Sequence, residues 1–295
     1  MFLRKRFSLC HILKKVKIHI STSHDVYANL ALEEYLVTQS NDDILLFYIN
    51  SPCVVIGKHQ NPWKEVDLTL RNEKKHTVAR RLSGGGTVYH DLGNINFSFI
   101  RNKNQDFVNF REHIVPISAA LEKLGISNVI SPRNDIFVKE HKVSGNAEHV
   151  NSKLGRILHH GTLLYDSDII RLNGSIRPQK NYKIKTHAVD SVRSPVMNMR
   201  EVIDHGETSL FLNTLINQLQ TILVVDQIEF IDPFTMTNVS ALITEKYITW
   251  DWNFGHTPQF EFTDDAGNLF KIRKGRVLES ENPSLIGSTF ESLLL

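Results

Sequence analysis

Apolar residues fall along this chain in short blocks whose period switches between two and about 3.6. Residues 16–21 read as a strand. ILLFYI (44–49) and CVVIG (53–57) are continuous apolar runs bounded by Asn50, Ser51, Pro52 and Gly57, the mark of buried strands. Between the first two, residues 27–38 carry Leu30, Ala31, Leu32, Tyr35 and Leu36 at helical spacing, which turns Glu33 and Glu34 outward. Asn61-Pro62 places an N-cap before a proline at the first helical position and predicts a helix to about Lys75. Residues 77–100 read as strand, glycine loop, strand, turn, strand. In the last of these, Ile95, Phe97 and Phe99 alternate with Asn96 and Ser98.

Farther on, the pattern predicts a helix over 107–124 ended by Gly125 and strands over 136–139 and 158–165. The polar KVSGNAEH between those strands reads as a loop or strand end. An apolar helix over 207–224, a helix over 240–250 and strands near 258–263 and 269–278 complete the reading. Asp226, Asp232 and Pro233 mark a boundary within 225–237. Three segments are therefore expected: a front end over 1–15, a large domain over 16–224 and a small α+β unit over 225–295. The fold class is α+β (mixed α/β), since no clean βαβ alternation runs through the chain.

Composition narrows the function. The 295 residues are 41% hydrophobic and 22% charged, enough for a sizeable core. No run of eighteen apolar residues exists, so no membrane-spanning helix and no membrane partner is expected. Cys10 and Cys53 make no disulfide framework and no CxxC site, and Cys53, inside CVVIG, reads as core. The net charge of +2 hides an asymmetry: residues 1–24 hold six Lys/Arg and no acid, which leaves 28 basic against 32 acidic residues, or −4, beyond them. A chain-wide nucleic-acid footprint is thus not expected. The basic, acid-poor front end fits a mitochondrial transit peptide; a solvated basic arm is the alternative.

The candidate chemistry sits in three blocks. In Arg80-Arg81-Leu82-Ser83-Gly84-Gly85-Gly86-Thr87-Val88-Tyr89-His90-Asp91, three successive glycines can reach positive φ and aim backbone N–H groups at one anion. The two arginines can grip a phosphate or carboxylate through planar forks. The run is neither a Walker A loop nor GxGxxG, so the phosphate is expected between strands. In the second block, Arg133-Asn134-Asp135-Ile136 precedes Lys142-Val143-Ser144-Gly145, where a lysine entering a Ser-Gly turn can project its ammonium into a pocket. A solvated surface lysine is the alternative. In the third, His159 and His160 on one strand face opposite ways, one toward a site and one into packing. No third ligand is spaced to help them, so no metal is expected.

Taken together, RRLSGGGTVYHDLGNINFSF, RNDI, KVSGNA and HHGTLL, in this order, resemble the lipoate–protein ligase A and lipoyltransferase family. NLALEEYL, VVIGKHQNPWKEV, DSVRSPVMN and TWDWNFGHTPQF match it too, so the resemblance covers nearly everything after about residue 16. It implies a central mixed β-sheet like the biotin–protein ligase and class II synthetase core, with a small accessory domain. The tail, ending at STFESLLL, is short for that domain, whose last elements are expected to be missing. The resemblance further implies binding of an acyl-adenylate, lipoyl-AMP, by Arg81, Ser83, Gly84, Gly85, Gly86, Thr87, Val88, Tyr89, His90, Arg133, Asp135, Lys142, His160 and Thr162. Lys142 corresponds to the family's invariant lysine and is the expected catalytic residue.

The implied reaction passes a lipoyl or octanoyl group to a lysine of lipoyl domains of 2-oxoacid dehydrogenase E2 subunits or of the glycine-cleavage H protein. A monomer in the mitochondrial matrix is expected. Two variants stay open: a complete ligase that activates lipoate with ATP and Mg2+, and amide-to-amide lipoyl transfer from the H protein. A thioester-using octanoyltransferase lacks its cysteine nucleophile, since Cys53 reads as buried. A non-catalytic binder would need a damaged glycine loop or a missing lysine. Asp135 and His90 are candidates for a general base.

Overall fold

The structure, a computed structural model, describes residues 15–67, 77–103, 110–176 and 182–294. All of the expected front end except Lys15 lies outside the described residues. The chain opens with β1 (Val16–Ser21) and α1 (Val26–Gln39), whose N-cap Asp25 accepts a hydrogen bond from the Ala28 amide at 2.8 Å. Next come β2 (Ile44–Ile49), β3 (Cys53–Ile56) and α2 (Pro62–Glu65), capped by Asn61 as expected. This helix stops at an extended Val66 rather than near Lys75, and residues 68–76 lie outside the described residues. Trp63 fixes the short helix by packing on Phe290, Phe260 and Phe254 at ring distances of 5.0, 5.6 and 5.8 Å.

β4 (Thr77–Arg80), β5 (Val88–His90) and β6 (Asn94–Asn102) carry the glycine block, and α3 (Arg111–Lys123) follows. Residues 104–109, where the predicted helix would begin, lie outside the described residues. β7 (Val129–Ile130), β8 (Ile136–Val138), β9 (His141–Ser144), β10 (Asn146–Asn151) and β11 (Arg156–Leu164) come next. KVSGNAEH, expected as a loop or strand end, is therefore the end of one strand and the start of the next, joined at Gly145. Backbone pairing of β10 with β11, not an apolar pattern, holds it extended.

The remaining elements are α4 (Ile169–Ser175), β12 (Lys183–Thr186), α5 (Thr208–Gln220), β13 (Val225–Ile231), α6 (Thr237–Leu242), β14 (Phe260–Thr263), β15 (Leu269–Arg273) and β16 (Arg276–Glu279). The helix predicted over 240–250 loosens into π turns over Ile243–Tyr247 and Asp251–Gly255. The strand predicted over 269–278 is split by a turn at Lys274 and Gly275, both at positive φ.

The main sheet is mixed, in the order β10-β11-β6-β2-β1-β13, with β1 parallel to β2 and to β13 and the other pairs antiparallel. Apolar side chains cover both of its faces. Leu32, Leu36 and Leu46 gather on the α1 side, and Phe97, Ile117, Phe211 and Leu215 on the side of α3 and α5. Burial on both faces explains why ILLFYI is continuously apolar. Smaller sheets are β4-β3-β5, β7-β8-β9 and β12-β14-β15-β16. The boundary expected within 225–237 meets a strand of the large sheet, because the parallel ladder offered by β1 takes up residues 225–231. Conversely β12, from before that boundary, joins the C-terminal sheet through β14. The class is mixed α/β.

Candidate active site

The loop between β4 and β5 lies over Gly57, and the approach leaves no room for a side chain. A Cβ on Gly57 would stand 2.2 Å from the Gly85 carbonyl oxygen. Of the three successive glycines only Gly85 takes positive φ, at +85°. Arg81 is buried beneath the loop and donates to the carbonyls of Gly84 and Gly86 at 2.6 and 2.7 Å, to Val55 O at 3.2 Å and to Ser83 Oγ at 3.0 Å. A trans peptide points its N–H opposite its carbonyl. Pulling the Gly84 carbonyl inward therefore turns the Gly85 amide outward. Among the described residues the amides of Gly84, Gly85 and Gly86 have no protein acceptor. Such a loop, shaped by an arginine from behind, is able to cradle an anion.

The two arginines, expected to fork onto a ligand, turn most of their N–H groups to protein acceptors. Arg81 spends four donors on the loop and on Val55 of β3, and burial pulls its pKa down to about 10. Arg80 is fully buried, with a pKa near 9 for the same reason. It donates to the carbonyls of Gly57, Lys58 and Gln60, to those of Trp252 and Asn253, and to Thr257 Oγ1. The sequence shows two adjacent cations but not the rings of carbonyls that absorb them.

Lys142, on β9, pairs through Nζ with Asp135 Oδ1 at 2.9 Å. Its side chain passes Gly145, where a Cβ would come within 3.0 Å of both Cε and Nζ. Two adjoining cavities meet at this ammonium. The inner, of about 180 Å³, has apolar walls from Leu30, Tyr48, Val55 and Val88. The outer, of about 320 Å³, takes Tyr89, Leu164, Leu172 and Ile176. Thr87, Val88, Lys142, Gly145, Thr162, Ser191 and Val192 line both. Arg81, Gly85, Gly86, Thr87, Val88, His90, Arg133, Asp135, Lys142, His160 and Thr162 all line the inner cavity, and Tyr89 the outer. Ser83 and Gly84 line neither.

Behind the inner cavity a hydrogen-bond chain supports the loop. His160 Nε2 meets Ser83 Oγ at 2.6 Å, and its Nδ1 meets Glu33 at 3.0 Å. Ser98 donates to Glu33 Oε2 at 2.7 Å. Glu33 was expected outward; it is 1% exposed, because the sheet face under α1 offers His160 and Ser98 as paired strand neighbours. Burial pushes its pKa up, but His160, Ser98 and Arg81 together hold it below the usual carboxylate value. Glu34 instead binds Lys246 Nζ and the Tyr247 hydroxyl.

His90 is buried against Asn50, and burial pushes its pKa down to about 3, which makes it a poor proton acceptor. Ser191 is a residue that periodicity missed. Its Oγ receives the Thr87 amide at 2.9 Å and Gln60 at 3.0 Å and donates to Glu65, tying the loop to α2. DSVRSPVMN carried that signal as a block without saying which residue mattered.

The sequence pattern of the lipoyl protein ligase A/B catalytic domain matches residues 25–222. The lipoate–protein ligase LplJ of Bacillus subtilis is 36% identical over 282 residues, covering 90% of this chain and 83% of its own. Among solved structures, Plasmodium falciparum LipL1 in complex with lipoate superposes with a TM-score of 0.69 at 25% identity, over 89% of this chain and 82% of that one. A lipoate–protein ligase A bound with ATP gives 0.65 at 26%, over 82% and 100%. An archaeal bipartite ligase, described with its E2 lipoyl domain from Thermoplasma acidophilum, gives 0.67 at 25%, over 83% and 98%.

Proposed function

The chain belongs to the lipoyl protein ligase A/B family and is an enzyme that attaches lipoyl groups to proteins; from that premise we propose that its donor is lipoyl-AMP and its acceptor the ε-amine of one lysine on a lipoyl domain. The observation that carries this is the position of Lys142 at the junction of an apolar slot and a wider, mixed cavity, beside the glycine cradle. An acyl-adenylate has that same division: apolar tail, reactive phosphoanhydride, nucleoside. The tail fits among Leu30, Val55 and Val88, and the nucleoside fits the side of Tyr89, Leu172 and Ile176.

The acceptor nitrogen attacks the acyl carbon, the carbon–oxygen bond to phosphate breaks, AMP departs and the ammonium sheds one proton. The mixed anhydride is already activated, so the enzyme's work is orientation and charge stabilisation. The acceptor amine, with an ordinary pKa of about 10.4, must first lose a proton. Lys142 answers the charge that grows on the acyl oxygen and phosphate. Asp135 holds its ammonium in place.

E2 lipoyl domains of 2-oxoacid dehydrogenases and the glycine-cleavage H protein are the proposed acceptors, and the Thermoplasma ligase and its E2 lipoyl domain support the first. We place the protein in the mitochondrial matrix as a monomer, on the basic, acid-free composition of residues 1–24 and the resemblance noted above. A second reading, a complete ligase using lipoate, ATP and Mg2+, is favoured by the ATP-bound relative and by the names of the relatives.

Mass spectrometry of a lipoyl domain, incubated with synthetic lipoyl-AMP or with lipoate plus ATP, separates the two. Modification by lipoyl-AMP alone supports the transferase; pyrophosphate release from ATP and free lipoate establishes the ligase. Lys142→Ala should lose at least about a hundredfold in transfer, the worth of one oxyanion-type contact. Near-normal transfer by the folded variant would remove Lys142 from the mechanism.

A further inference from the structure

His159 faces away from the cavity, and the structure surrounds it with more than packing. Glu148 is its direct cross-strand partner on β10, and His113 of α3 brings its ring centroid to 5.0 Å. Sequence spacing offered this histidine no third ligand; the structure brings His113 beside it from a helix packed on the sheet. Glu148 Oε2 lies 3.2 Å from His159 Nδ1 and 3.8 Å from His113 Nδ1, and one ligand atom from each of the three falls within 4.8 Å of the others. All three side chains are buried, with 0–4% of their surface exposed.

The cluster is also unsatisfied. His113 Nδ1, Glu148 Oε1 and His159 Nε2 are buried with no hydrogen-bond partner. Glu148 Oε2 and His159 Nδ1 share a hydrogen bond, but these three atoms are left over, and buried polar atoms without partners are uncommon. Arg101, whose guanidinium lies over the Phe99 ring, is the nearby cation, and Asp43 and Glu112 offset it.

We propose that His113, Glu148 and His159 form a site for one divalent transition ion of the Zn2+ type. Three ligands at about 2.0–2.2 Å from a common tetrahedral ion stand roughly 3.3–3.6 Å from one another, and the two measured separations straddle that spacing. Two imidazoles and one carboxylate are the donor set such ions favour over Mg2+ or Ca2+. The ion would tie α3 to β10 and β11, and so brace from behind the strands that carry Asn146, His160 and Thr162 at the cavity. This site is independent of the donor proposed for the lipoyl transfer, and its test reads metal, not activity.

The full-length protein, stripped with a chelator, is titrated with Zn2+ alone and with Co2+ alone. The expected result is one tight equivalent, a visible d–d band for Co2+ and a higher melting temperature with Zn2+. Affinity should fall at least tenfold in Glu148→Gln and in His113→Gln, and stay unchanged in His141→Ala, an exposed histidine. Failure to bind one equivalent, or equal binding in Glu148→Gln and wild type, overturns the proposal. Imidazole nitrogen NMR of the wild type keeps the test open should the variants fail to fold. Zn2+ must shift the ring resonances of two buried histidines, and unmoved resonances refute the site.

Discussion

Glu33→Gln removes one charge from the supporting chain and almost no volume. In the wild type the carboxylate accepts from Ser98 Oγ at 2.7 Å and meets His160 Nδ1 at 3.0 Å, in a position 1% exposed. A hydrogen bond to a charged group contributes about 1.5–3 kcal/mol and a neutral one about 0.5–1.5. The amide retains both contacts as neutral bonds, so two bonds each weaken by about 1–1.5 kcal/mol, a loss of roughly 2–3 kcal/mol. For a chain of this size that lowers the melting temperature by roughly 3–5 °C at pH 7.5.

The sign with pH follows from the shift. The Glu33 pKa is lower in the fold than its ordinary value of 4.5, so its contribution is full above that value and is lost as pH falls through the folded pKa. The gap between the two melting curves should therefore be constant from pH 7.5 to about 5 and shrink below. Scanning calorimetry across that range decides it. A variant that melts with the wild type at pH 7.5 would show that the carboxylate carries no net charge there.

Three further outcomes follow. Gly57→Ala drives a methyl group into the Gly85 carbonyl and should push the glycine loop outward, costing about a hundredfold in transfer with about 1–3 kcal/mol of stability; normal single-turnover transfer from lipoyl-AMP would contradict it. Asp135→Asn frees the Lys142 ammonium and should reduce transfer by about tenfold, less than Lys142→Ala does, with the folded content seen by circular dichroism unchanged. His90 is held neutral in the fold with its pKa near 3 against 6.5 ordinarily, so the unfolded chain takes up its proton first and stability falls as pH drops from 6.5 toward 3. His90→Asn should flatten the dependence of denaturation midpoints on pH in that window, by at most about 1.4 kcal/mol per pH unit.

Much of the scaffold was written in periodicity. The continuous apolar runs of β2 and β3 and the alternation in β6 reflect how many faces of each strand are covered. The limits have physical causes as well. α1 is buried on nearly every side, so its pattern did not betray that Glu33 turns inward to His160. β9 and β10 are polar because one of their faces lines a cavity, and a polar strand looks like a loop in one dimension. β13 belongs to the main sheet only because β1 presents a free parallel edge some 200 residues earlier in the chain.

At the site, the spacing of the blocks pointed to the glycine loop and Lys142, while roles set by distant partners stayed hidden. Arg80 and Arg81 looked like ligand forks until their carbonyl acceptors were in view. Ser191 depends on partners 104 and 131 positions away, and the trio around His159 on a helix residue, His113, that lies 35 positions before Glu148, so neither leaves a local pattern.

Arg80 carries a consequence for how the molecule can be cut. Its guanidinium divides its bonds between residues 57–60, over which the glycine loop lies, and the turn at Trp252, Asn253 and Thr257. Trp252 returns the bond through its indole to the Arg80 carbonyl at 2.7 Å. A buried cation deprived of half its acceptors is strained on the spot. Removing the C-terminal part would thus be felt first beneath the glycine loop.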